Sequence, residues 1–138
     1  MLEPYVHRLA AARGQERHWA VIQAALDAVD RDDATWTELL DADRVCHEQV
    51  WAASANRYLT ETLDMLYTQS QRLWHQYVRD VSDLRSALAE HRLVLAALRA
   101  GDGDTAASLM ENHIRSFENQ IRHVLDRWLG PATAAKAG

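Results

Sequence analysis

Three stretches of the chain place a potential metal ligand where a core residue belongs. Asp43 and His47 stand four apart, one helical turn, in a run whose apolar positions are Trp36, Leu39, Leu40, Val50 and Trp51. His91 falls among Leu84, Ala87, Leu88, Val94, Leu95 and Leu98, and His113 among Ala106, Leu109, Met110, Phe117, Ile121, Val124 and Trp128. Spacings of three and four predict an amphipathic helix in each run, with the polar residue on its apolar face. An unpaired buried polar group costs about 1 to 3 kcal/mol, and a small domain has only about 5 to 15 kcal/mol in total. Four such groups converging on one interior need a common partner. A divalent cation satisfies them together: zinc first, with nickel or manganese as alternatives that these residue types do not separate.

Taken singly, each group has a plainer reading. Asp43 and His47 can share a local hydrogen bond, and His91 or His113 alone can be a hydrogen-bonded core histidine; joint placement on three stripes favours the metal. Other metal patterns fail. His47-Glu48 opens like the HExxH of zinc proteases, but position 51 is Trp. None of the seven histidines has a Glu three residues before it, so the pairs typical of di-iron bundles are missing. Asp102-Gly103-Asp104 lacks the remaining ligands of a calcium loop and reads as a turn and cap.

Helices must carry these side chains. Apolar residues at 48%, charged residues at 25% and only five Gly and two Pro suit an all-α protein. The pattern predicts an antiparallel bundle of about six helices. The first begins at Glu3-Pro4 and ends at Gly14. The second spans Gln15 to Asp30 on Trp19, Ile22, Ala25, Leu26 and Val29. Asp33 caps the third, which ends near Ser54. After a break at Ala55-Asn56, the fourth uses Leu59, Leu63, Leu66, Leu73 and Tyr77 and ends near Arg79. Asp80 or Ser82 caps the fifth, which ends at Gly101; Asp104 caps the sixth, which Gly130-Pro131 stops. Residues 1–130 form one domain, and the small-residue tail 131–138 is expected to be disordered.

The formal charge of -5 argues against a module that grips nucleic acid unaided. No signal peptide or membrane-length apolar run is visible, and the single Cys46 rules out an internal disulfide. A soluble, cytoplasmic protein is expected.

Asp43-Arg44-Val45-Cys46-His47, Ala53-Ser54-Ala55-Asn56, Glu90-His91-Arg92, Ala96-Ala97-Leu98-Arg99-Ala100-Gly101-Asp102 and Met110-Glu111-Asn112-His113 follow one another in a familiar order. From Leu2-Glu3-Pro4 to about Leu125, the chain resembles the FCD domain, the effector-binding domain of FadR-subfamily GntR transcription regulators. The resemblance implies a helical bundle in which Asp43, His47, His91 and His113 bind a divalent metal, with positions left for water or a small carboxylate effector. It also implies a homodimer, and DNA contact only through a winged helix-turn-helix domain that this chain lacks. Cys46 stands where the family commonly has an aromatic, either as a small buried hydrophobe or as a soft ligand or oxidisable thiol near the site.

The expected function is therefore ligand sensing in a GntR/FadR-type regulator, without enzymatic activity. Arg72 is a candidate partner for an effector carboxylate, with an exposed surface role as the alternative. Asn56 either reaches the pocket or caps the fourth helix. Two other classes remain: a metal-dependent hydrolase, for which no inward acid or base beyond the four ligands can be named, and a metal-free helical dimerisation module.

Overall fold

The computed structural model describes residues 1–79 and 83–130. Six α-helices form among them and no strand: α1 (Leu2–Arg13), α2 (Glu16–Ala28), α3 (Trp36–Ala53), α4 (Arg57–Leu73), α5 (Leu84–Arg99) and α6 (Gly103–Leu129). A π-helical turn, Trp74–Val78, prolongs α4. The fold is the all-α helical bundle that the periodicities predict.

Local chemistry sets the helix ends, and at three of them it differs from the sequence reading. Helix α3 is capped by Thr35 rather than Asp33. The Thr35 hydroxyl accepts from the Glu38 N–H while the Glu38 carboxylate accepts from the Thr35 N–H, a reciprocal pair that needs a Glu three residues on. Asp33 has Trp36 at that position and pairs with Arg31 instead. Helix α6 is capped by Asp102 rather than Asp104, accepting from both the backbone N–H and the hydroxyl of Thr105. Gly101, at φ 70°, turns the chain early enough for the helix to begin at Gly103, and Asp104 ties the first turn to Arg8 of α1. Helix α5 is capped by Asp83, which accepts from the Ser86 N–H. The expected caps Asp80 and Ser82, and the tail 131–138, lie outside the described residues, as does the side chain of Tyr77. Gly14 ends α1 as expected; a Cβ there would sit 2.3 Å from Cζ2 of Trp19, so only glycine lets that indole close over the helix end.

Helix α3 lies at the centre, packed against α1, α2, α4 and α5. Helix α6 closes the other side against α1 and α5. The α2–α3 and α5–α6 pairs are helical hairpins on short connections. Two expected faces are corrected. Helix α4 turns Leu63 and Tyr67 inward, followed by Trp74, while Leu66 and Leu73 are half exposed. Tyr67 wins over Leu66 because its hydroxyl finds a buried partner on α3, so its ring is buried without an orphaned polar group. Trp128 is 70% exposed. Helix α6, at 27 residues, outruns the 12 of α1 and the 16 of α5, and the exposed Trp128 lies in its last turn. No helix among the described residues is long and apolar enough to cross a membrane.

Candidate metal centre

Three packed helices bring the four predicted ligands together. Asp43 and His47 project from α3, His91 from α5 and His113 from α6, all buried. One donor atom from each lies within 4.8 Å of the other three. In a tetrahedral site, ligand atoms about 2.0 to 2.2 Å from a zinc ion lie about 3.4 Å apart, so the widest pairs of the cluster would have to draw in by about 1 Å to hold one. Every imidazole turns Nε2 towards Asp43: His91 at 2.8 Å from Oδ1, His113 at 3.7 Å from Oδ1 and His47 at 3.7 Å from Oδ2.

A second layer fixes these orientations. His113 Nδ1 meets Glu90 Oε2 at 2.6 Å, and His47 Nδ1 meets Glu3 Oε1 at 3.2 Å. Glu3 also accepts from Trp51 Nε1, and the Tyr67 hydroxyl donates to Asp43 Oδ2. With Nδ1–H committed to a carboxylate, a neutral imidazole presents a bare Nε2. His47 and His113 thus each turn Nε2 towards Asp43 at 3.7 Å, beyond hydrogen-bond reach.

The local field favours positive charge at that point. Burial alone would push the Asp43 carboxyl up, but the charge of His47 and the hydrogen bond from His91 hold it well below the usual carboxylate range. Burial likewise opposes ionisation of Glu3, and His47 again overcomes it, lowering that carboxyl. On His47, burial is outweighed by Asp43 and Glu3, which raise the imidazole above its ordinary value. His91 goes the other way, to about 3, through burial and the neighbouring His113. It therefore donates Nε2–H to Asp43 as a neutral ring. Cys46 is buried, its thiol raised by burial and by Asp43, and it is not part of the cluster. Of its two readings, the small hydrophobe fits.

A cavity of about 430 Å3 opens beside the cluster, with His47, His113, Tyr67 and Glu3 in its wall. Neither candidate effector residue lies there. Arg72 is exposed, on the side of α4 opposite the inward Tyr67 and Trp74. Asn56 caps α4, accepting from the Tyr58 and Leu59 N–H groups, and lines a shallow surface depression instead. The sequence reading also missed Glu3, Tyr67, Glu90 and His7. Glu3 corrects the expectation that no inward acid exists beyond the ligands. Its signal was its spacing with Val6, His7 and Ala10, which mark the buried face of α1. His7 is buried, with Nδ1 on the Glu3 carbonyl oxygen at 2.7 Å and Nε2 without a partner.

Residues 1–116 match the family model of the FCD domain. The chain belongs to the FCD family. FCD domains are ligand-sensing domains of transcription regulators. Comparison with curated proteins finds no match. In this FCD domain, the match covers α1 to α5 and the part of α6 that carries His113, so all four predicted ligands lie within it.

Proposed function

We propose that this FCD domain senses a small organic acid through a divalent cation held by Asp43, His47, His91 and His113. Zinc is the first choice, with nickel or manganese as alternatives. The observation that carries the reading is the pair of Nε2 atoms, on His47 and His113, directed at Asp43 with their Nδ1 atoms engaged by Glu3 and Glu90. When bound, the cation supplies positive charge and open coordination positions for a carboxylate. The protein orients both imidazoles, keeps Asp43 ionised and encloses the effector in the adjoining cavity. As part of a GntR/FadR-type regulator, the domain would act in the cytoplasm as a homodimer, with DNA bound by a separate winged helix-turn-helix domain. Exposed Leu125, Trp128 and Leu129 at the end of α6 are suited to a subunit contact. Effector binding shifts DNA affinity only in so far as the two helix arrangements bind the effector unequally.

Metal analysis of protein purified without added metal tests the proposal. About one equivalent per chain is expected, with near-complete loss in the His91→Ala, His113→Ala double variant. Wild-type protein that stays metal-free at saturating zinc, nickel and manganese would sink it. In that event a chelator without effect on melting would favour a metal-free helical module. A metal-dependent hydrolase is the second reading, favoured by Glu3, which lines the cavity and has one unpartnered carboxylate oxygen. Metal-dependent turnover of an ester or phosphoester, lost in folded Glu3→Gln at saturating metal with one equivalent bound, would establish it.

A further inference from the structure

The wall of the cavity beside the metal cluster narrows the effector to one chemical class. Its volume of about 430 Å3 is room for roughly a dozen water-sized groups, far more than a metal-bound acetate fills. One end is polar, made by His47, His113 and Tyr67; beyond it the wall is apolar, with Leu63, Trp74 and Phe117. The chain has 15 lysines and arginines, yet among the described residues none lines this space. The charged side chains that do, Glu3 and Glu118, are both acidic. Apart from the α-amino group of exposed Met1, an acid group finds positive charge only at the cluster. A second carboxylate or a phosphate further along would lie against hydrocarbon, with Glu118 as its charged neighbour, and burying an unpaired charge is costly. The unpartnered buried donor on that wall is a neutral one, the Trp74 indole N–H.

We infer that the effector is a monocarboxylate with an apolar tail, on the order of ten non-hydrogen atoms in all. Its acid group sits at the metal cluster and its hydrocarbon or aromatic tail lies between α4 and α6. The inference rests on the metal reading above for the position of the acid group. It goes further in excluding dicarboxylates and phosphorylated acids as preferred ligands.

Calorimetric titration of the zinc-loaded protein with acetate, butyrate, hexanoate, octanoate and the eight-carbon dicarboxylate suberate tests it. Each added methylene should tighten binding about fourfold until the cavity is full. Suberate should bind at least about tenfold more weakly than octanoate. Leu66→Arg, which puts a cation on the half-exposed rim, should narrow that difference by about tenfold. A series flat from acetate to octanoate, or suberate binding as tightly as octanoate, overturns the inference. Zinc content measured on the same samples separates the two levels of argument. One equivalent of zinc with a flat series removes the apolar acid and leaves the metal centre standing; protein that takes up no zinc removes both.

Discussion

Glu90 and Glu3 each hold an imidazole by Nδ1, so the geometry of the cluster depends on residues that do not belong to it. Replacing such an outer carboxylate typically weakens metal binding 10- to 100-fold. Glu90→Gln should do this with little loss of stability, because Glu90 is partly exposed, and competition against a chelator of known affinity would measure it. Glu3→Gln should weaken metal binding similarly and also destabilise the fold, since Glu3 accepts from Trp51 as well. Acid should destabilise the metal-free protein through His7, whose burial lowers it to about 4 from an ordinary 6.5. Below about pH 6.5 the unfolded chain takes up a proton there that the folded chain refuses, so stability falls as pH drops from about 6.5 to 4. His91 adds in the same direction. In His7→Asn the slope of unfolding free energy against pH over that window should fall by up to about 1.4 kcal/mol per pH unit, read by urea titrations. Asp43, His47, His91 and His113 were legible in the sequence because each breaks an apolar stripe. Glu3, Glu90 and Tyr67 were not, because their partners lie 44, 23 and 24 residues away and nothing local marks the pairing.

Helix α4 shows where periodicity stops deciding. Its apolar residues cover more than one face, so Leu66 and Leu73 fitted a stripe as well as Tyr67 did. Packing separates them: Leu63→Ala should cost about 2 to 4 kcal/mol, whereas Leu73→Ala should stay within about 0.5 kcal/mol by chemical denaturation. The turn that leads into α4 holds Ala55 at φ 53°, a left-handed conformation that costs an L-residue about 1 to 2 kcal/mol. Relief of that strain outweighs the extra chain entropy of glycine, so Ala55→Gly should stabilise the protein by about 0.5 to 1 kcal/mol, seen as a higher urea midpoint. The caps follow the same logic. Thr35 and Asp102 prevail over Asp33 and Asp104 through hydrogen bonds reaching three residues ahead, to Glu38 and Thr105, and composition near the boundary does not choose between such neighbours.

A cation bound by α3, α5 and α6 would fasten three helices that otherwise cohere through apolar contact. Zinc at 100 times its dissociation constant should stabilise the folded state by about 2.7 kcal/mol, a rise in melting temperature on the order of 10 °C, and a chelator should reverse it. The double variant His91→Ala, His113→Ala should show no zinc-dependent rise in scanning calorimetry. The helical class and the identity of the four clustered side chains follow from local rules, since a period near 3.6 and a polar residue on an apolar stripe are properties of short segments. The carboxylates behind the imidazoles, the inward face of α4 and the cavity that no described lysine or arginine lines follow from contacts between helices far apart along the chain. No local pattern encodes which distant face a side chain will meet, so those features exist only once the helices have packed.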